Sequence, residues 1–323
     1  MEEAPVVPLV WLRPALLCAF NLSAHLVLRK AEHLDLECYR VNTLSHMATS
    51  KTLAAISTRA GNDNRRALKA MTFAASAWFV PVLVGQFIFV AYILHTYGSP
   101  LFFGDMTQWN DHLSEAWIAG RTMGNGAVAA HLALAIVVHI GGPLQLVPQV
   151  RSRFPRFHRW TGRVFVFAML VAVVSGAYMM IARNIGEWTL YLGFSMQMIF
   201  IIWFAAFTLR HAIRREISDH MRWATRLFLA ASAVWFLRVL VMVWFVLTGG
   251  IGIDQTTGTG WFLDIMSVGQ FLPLAGYEIY HRLKSGGTAI ARYAMAAFLW
   301  FAALATAVGV ALAMLGMWFP VLG

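Results

Sequence analysis

Charged residues and cysteines are both scarce in this chain of 323 residues. Asp, Glu, Lys and Arg together make up only 12% of it, whereas 59% of the residues are hydrophobic and the mean hydropathy is +0.63. A soluble globular domain carries roughly a quarter of its residues as charged ones, so the composition excludes that class. The two cysteines, Cys18 and Cys38, precede the first long apolar run, which excludes a disulfide framework and a CxxCH haem attachment.

Long apolar runs separated by short polar segments predict an all-α, polytopic bundle of transmembrane helices. A helix of about 20 apolar residues crosses the roughly 30 Å of hydrocarbon in a bilayer. A spanning segment has to satisfy its own backbone hydrogen bonds, and a helix does so within one segment. We expect seven spans, at 71–95, 126–148, 162–182, 189–211, 227–248, 261–281 and 292–318.

Residues 1–70 are predicted to be an amino-terminal extension, and residues 71–323 the seven-helix membrane domain. Pro8, Arg13 and Pro14 interrupt the first apolar stretch, and its acidic head does not resemble a secretory signal. Met47 opens a basic segment that leads into the first span. We therefore expect the extension to be poorly ordered or, over residues 1–46, to come from an over-long gene prediction.

The net charge of +10 predicts orientation in the membrane, not nucleic-acid binding. The basic residues occur in short groups between apolar runs, where they meet anionic lipid headgroups at the cytoplasmic face. The positive-inside rule then predicts a cytoplasmic amino terminus and the bilayer itself as the main partner. The basic groups include Arg65, Arg66 and Lys69, then Arg151, Arg153 and Arg156, then Arg210, Arg214 and Arg215, and the opposite loops contain Asp105, Asp111 and Asp254.

Two histidines lie inside the second predicted span. His131 and His139 occur in an apolar run, where titratable side chains are rare unless they have a partner or a function. Pro143 has no N–H to donate to the carbonyl of His139, and Gly141 and Gly142 precede it, so we expect the helix to bend there. Irregular backbone at membrane depth is tolerated where it lines an enclosed cavity. His139 is therefore predicted to be the central residue of a site.

Two further histidines stand where the third and fifth predicted spans begin. His158 opens the segment HRWTGR, and His220 opens HMRWATR. Each segment places a tryptophan and an arginine one helical turn apart, which anchoring at the membrane interface also explains. Both histidines lie on the predicted cytoplasmic side, so they are the expected partners of His139.

These motifs carry a resemblance to a known family. A GPLQ segment after a membrane histidine, then HRWTGR, then DHMRW followed by Arg226, resembles the bacterial family catalogued as domain of unknown function 2306. The resemblance covers roughly 131–278. The usual pattern has a second basic residue directly after the histidine, where this chain has Met221. The resemblance implies a multi-pass protein of the bacterial cytoplasmic (inner) membrane, and it brings no activity with it.

Arg238 is the charged residue that lies deepest in a predicted span. It follows the cytoplasmic start of the fifth span by about 17 Å, too far for its side chain to reach either surface fully. A charge at that depth needs a partner or marks a functional pathway. We expect a pair with Asp264 or Gln270 of the sixth span. Gln86, Gln197 and Gln270 further predict a polar cavity.

Two classes of function remain open from the sequence. The first is a redox or cofactor protein, in which His139 with His158 or His220 holds the iron of haem b or orients a quinone. Arg238 would neutralise acidic groups of that ligand, and His131 is a further binding candidate. The second is a transporter or membrane-complex assembly factor with no cofactor. No P-loop, HExxH or GxSxG motif occurs, so the sequence predicts no catalytic residue.

Overall fold

A computed structural model of the chain describes residues 13–113, 115–183, 188–254 and 259–319. The chain divides into two compact units, Met1–Arg65 and Arg66–Gly323. In the first unit, the described residues belong to a helix that begins at Arg13. The expectation for the first twelve residues lies outside the described part, and the assignment of 1–70 as an extension stays a prediction.

The described residues are helical with short connections, and they contain no strand beyond one isolated bridge between Asp254 and Thr259. Eleven α-helices are named here in chain order. They are α1 Arg13–Ile93, α2 Ser99–Phe103, α3 Thr122–Leu146, α4 Pro148–Arg153, α5 Pro155–Arg183, α6 Trp188–Ile213, α7 Ile217–Ala231, α8 Ala233–Thr248, α9 Trp261–Gly269, α10 Leu272–Gly286 and α11 Ala289–Ala313.

Five stretches are long and apolar enough to cross a membrane. They are Thr58–Phe102, Thr122–Leu146, Pro155–Ala182, Leu190–Ile213 and Ala289–Trp318. The all-α membrane bundle is therefore confirmed. The predicted count of seven and the orientation of the amino terminus are not confirmed and stay predictions.

The other two predicted spans, 227–248 and 261–281, are each interrupted. Helices α7 and α8 meet at Ser232 with a bend of 52°, and the bent pair together passes as one span. Helices α9 and α10 are separated at Gln270 and Phe271, and Pro273 stands in the first turn of α10. A proline cannot donate to a preceding turn, so a new helix readily begins there.

Helix α3 is not broken at the Gly-Gly-Pro segment, and the bend expected there stays a prediction. The helix continues from Thr122 to Leu146 with Pro143 inside it. The glycine serves close packing instead: a Cβ atom added to Gly142 would lie 3.0 Å from the ring of Phe228 and 3.1 Å from that of Phe165. Helices α5 and α7 therefore approach the α3 backbone closely at this level.

Candidate functional site

The second unit encloses a cavity of about 500 Å³ among its helices. Its walls come from the end of α1 and the turn after it, the loop before α3, then α3, α5, α6, the end of α7, α8 and the turn after α11. Most of the lining is apolar, with methionines such as Met169, Met179 and Met198 on α5 and α6. Both His112, in the loop before α3, and His139, on α3, line the cavity. Its size and lining are typical of a small-molecule site.

Three of the five predicted binding residues line this cavity, namely His131, His139 and Arg238. Helices α3 and α8 supply them. Other side chains with polar atoms also line it, namely Tyr92, Tyr97, Asp111, His112, Gln197, Trp235 and Trp318. The polar side chains thus form a minority in an apolar wall, which fixes where the polar part of a ligand would lie.

Arg238 lies against an aromatic ring, and the expected pair with Asp264 or Gln270 is wrong. Its guanidinium carbon is 5.4 Å from the centre of the Phe89 ring. Within the described parts of the chain, no carboxylate or carbonyl forms an ion pair or hydrogen bond with it. Gln270 instead donates to the carbonyl of Ser267 on its own helix. The break between α9 and α10 explains this, because it turns Gln270 back toward α9.

His139 is buried, with only 7% of its surface exposed. Its ring lies edge-on to Phe89, with 5.1 Å between the ring centres. Its Nδ1 atom has no hydrogen-bond partner among the residues that the structure describes. Phe89 therefore contacts both Arg238 and His139, and these two polar groups share one aromatic neighbour at the inner end of the cavity.

His131 has a partner on the neighbouring helix. Its Nδ1 atom lies 3.0 Å from the hydroxyl oxygen of Ser175 on α5. Gly176 makes room for the ring, since a Cβ atom there would come within 3.3 Å of the His131 Cε1 atom. Such a contact between spanning helices is worth about 1 kcal/mol. His131 therefore joins α3 to α5 as well as lining the cavity.

An aromatic cluster at the outer end of the cavity was not predicted from the sequence. Tyr92 contacts Trp318, with ring centres 6.3 Å apart, and both Tyr92 and Tyr97 lie edge-on to His112. Phe89, Tyr92 and Tyr97 follow one another at intervals of three to five residues along α1 and the turn after it. The three-residue spacing of Phe89 and Tyr92 would have placed those two on one face of α1.

The loop that closes this end is held by side-chain hydrogen bonds. Trp109 donates through Nε1 to the carbonyl of Tyr97 at 3.0 Å. Asn110 bonds the backbone of Trp117, and Asn125 bonds that of Ile118, each through both amide atoms. Hydrogen bonds from the Thr107 hydroxyl and the Gln108 amide hold the pKa of Asp105 below its usual range. The loop therefore has a defined conformation beside His112.

His158 and His220 do not line the cavity. With its side-chain amide oriented to satisfy both neighbours, Gln145 donates to His158 Nδ1 at 2.9 Å and accepts from the Thr161 hydroxyl at 2.6 Å. His220 Nδ1 donates to the carbonyl of Thr208 at 3.1 Å. The structure thus brings the GPLQ and HRWTGR motifs together at a helix corner. It does not bring His139 into one cavity with His158 or His220.

The two Trp-x-x-Arg segments have the predicted geometry. The guanidinium of Arg163 lies 5.1 Å from the centre of the Trp160 ring, and that of Arg226 lies 4.5 Å from Trp223. Arg226 also forms a two-bond ion pair with Glu278 of α10. These cation–π contacts occur at the helix ends that carry the basic residues.

The helix bundle and its apolar cavity define the class: this is a multi-pass α-helical membrane protein with a chamber of ligand size. Residues 128–266 match the family described as predicted membrane protein, domain of unknown function 2306, which confirms the resemblance of the motifs to that family. Comparison with curated proteins and with solved structures found no match.

Proposed function

We propose that the protein binds a quinone-class molecule in the cavity between Arg238 and His139 and serves redox chemistry in the bacterial cytoplasmic membrane. A quinone has an apolar body and carbonyl oxygens that only accept hydrogen bonds. The apolar wall would take the body, and the donors at the inner end would take a carbonyl oxygen.

The observation that carries this proposal is an excess of hydrogen-bond donors in the cavity. Arginine and tryptophan side chains only donate. The buried Nε1 atoms of Trp235 and Trp318 have no hydrogen-bond partner in the described part of the chain. The partly buried Arg238 guanidinium has the Phe89 ring as its described contact. Buried donors without acceptors are costly, so a ligand that supplies acceptors would stabilise the protein.

The residues at the inner end would have separate roles toward such a ligand. Arg238 carries a permanent charge and would hold a carbonyl oxygen by a charge-assisted hydrogen bond. Reduction of a quinone to a quinol takes two electrons and two protons, one proton at each oxygen. His139 can give one of these protons at the oxygen that it faces, and water would supply the other. Phe89 would keep both groups in place, because it contacts each of them. The electrons would come from a redox partner.

Haem b fits the described residues less well. A haem iron with two protein ligands needs two imidazoles on opposite sides. His158 and His220 were the predicted partners of His139, and neither lines the cavity. His131 and His112 are the other imidazoles there, and His131 is engaged by Ser175. Ligation by His139 would therefore depend on His112, which lies in the loop before α3.

Transport without a cofactor is the second candidate, and the broken helices favour it. Interrupted spans at membrane depth are typical of secondary transporters, whose sites lie beside the breaks. The break between α7 and α8 lies next to the cavity, since Ala231 and Val234 both line it. On this reading the same donors would bind a solute with acceptor groups and release it on the other side.

Two measurements on one sample separate these functions. The full-length protein is purified in detergent, its absorption spectrum is recorded, and its organic extract is analysed for quinones by mass spectrometry. We expect no haem band and a quinone that co-purifies, with much less of it in Arg238→Leu and no change in Val246→Ala, an exposed position on the same helix. A haem band that disappears in His139→Ala would support the haem function instead. A colourless, quinone-free protein would contradict both and favour transport.

A further inference from the structure

A second group of unpaired arginine donors lies at the other end of the bundle, between α7 and α10. Arg226 is 7% exposed, and its Nη1 atom has no partner among the described residues. Arg222 lies one turn earlier on α7, and its buried Nε atom also has no partner there. Positions four residues apart lie on one face of a helix, so the two guanidinium groups are neighbours.

The charges around these donors do not balance. Glu278 is engaged by Arg226 through Nε and Nη2 at 2.6 and 2.8 Å, which accounts for one positive charge. Arg222 is close enough for its charge to act on Glu278 and on His281, yet it forms no ion pair with a described carboxylate. The two arginines therefore have about one more positive charge than the described carboxylate beside them balances. Two of their N–H groups also have no described acceptor.

The side chains around these two arginines favour an anion at the membrane interface. Arg226 lies over the Trp223 ring, which covers one face of the guanidinium. Tyr277 contacts the other side, with its hydroxyl 3.5 Å from the carbonyl of Arg222. Arg222 is only partly buried, so its side chain is reachable from the end of the bundle that carries Arg282 and Lys284. Lipid phosphates lie at this level in a bilayer.

We infer that Arg222 and Arg226 form a binding site for a phosphate group, through the Arg222 Nε and the Arg226 Nη1 atoms. Arginine matches phosphate oxygens in geometry and charge, and charge-assisted bonds of this kind are the strong ones. The phosphate belongs to an anionic lipid headgroup or is free in solution. The site is separate from the cavity at Arg238 and does not depend on what binds there.

The test measures phosphate binding to the full-length protein in zwitterionic detergent. Phosphatidylglycerol, phosphatidylcholine and inorganic phosphate are titrated separately, and binding is followed by native mass spectrometry and by the shift in Tm. The variants are Arg222→Gln and Arg222→Lys, and Arg214→Gln is the control because Arg214 is an exposed arginine in the turn before α7. Loss of a charge-assisted bond weakens binding by about tenfold or more.

We expect phosphatidylglycerol to bind the wild-type protein and Arg214→Gln equally, and Arg222→Gln at least about tenfold more weakly. If the variants rank in the same order of affinity for inorganic phosphate, the site takes a free phosphate. If they differ only in their affinity for the lipid, the phosphate is that of a headgroup. Arg222→Lys keeps the charge and removes the Nε donor, so it should also bind more weakly, and it serves where Arg222→Gln does not fold. Equal binding by the arginine 222 variants and the control would overturn the site.

Discussion

At the scale of single residues, Arg238 is a partly buried charge whose described contact is an aromatic ring. Its charge lies inside the bundle against Phe89, with no described carboxylate beside it. The sequence was sufficient to find this residue, because its depth follows from counting along one helix. Its partner could not be predicted, since that depends on how α9 and α10 are broken and turned. His139 was likewise found from the sequence. His112 was not, because it lies in a loop whose position depends on the fold.

An unpaired buried charge should cost stability in the absence of ligand. Arg238→Met keeps the length of the side chain and removes the charge, so we expect the ligand-free protein to be equally stable or more stable, by up to about 1–4 kcal/mol. Thermal unfolding in detergent measures this. Arg226→Met serves as the contrast: it leaves Glu278 without its partner, and Glu278 is 34% exposed, so the loss should be on the order of 1–2 kcal/mol. A large loss of stability in Arg238→Met would mean that Arg238 has a structural partner.

At the scale of elements, the break between α7 and α8 is held by glutamines from other helices. Gln197 of α6 donates to the carbonyl of Ala230 at 3.0 Å, and Gln86 of α1 donates to the Ser232 hydroxyl at 2.8 Å. These amides satisfy backbone and side-chain groups that a continuous helix would satisfy by itself. The sequence predicted polar atoms at this depth but not the break, because the residues that stabilise the break come from distant parts of the chain.

Removing one of these amides should loosen the junction. Gln197→Leu keeps the bulk of the side chain and removes its donor to the Ala230 carbonyl, which retains the backbone N–H of Ser232, so we expect a loss of about 0.5–1.5 kcal/mol. Hydrogen exchange should then increase at the amides around Ser232. Ile199→Val, an exposed position on the same helix, is the control. Unchanged exchange at the junction in Gln197→Leu would show that the bend is stable without this contact.

At the scale of the whole molecule, the ends of the helices differ in charge. Basic residues occur before α5 and between α6 and α7, whereas Asp105, Asp111 and Asp254 lie at the other ends. This distribution of charge could be predicted from the sequence, and so could most of the long helices. The cavity could not be, because its walls come from segments that are far apart in the chain.

The orientation in the membrane is directly testable. In a variant with Cys18 and Cys38 replaced by serine, Asp254→Cys should react with a membrane-impermeant reagent added to intact cells, and Ser152→Cys should not. Permeabilised cells, in which both positions should react, provide the control. The reverse labelling would invert the orientation, and with it the side of the membrane from which the His112 end of the cavity is reached.

The central claim is that the cavity binds a ligand whose acceptor atoms lie between Arg238 and His139. A short-chain benzoquinone titrated into the full-length protein should quench the fluorescence of Trp235 and Trp318, which line the cavity. We predict saturable quenching in the wild-type protein and in His95→Phe, an exposed histidine outside the cavity. Binding should be weaker by about tenfold or more in Arg238→Met and in His139→Phe. Equal affinity in all four proteins, or quenching that does not saturate, would contradict the account.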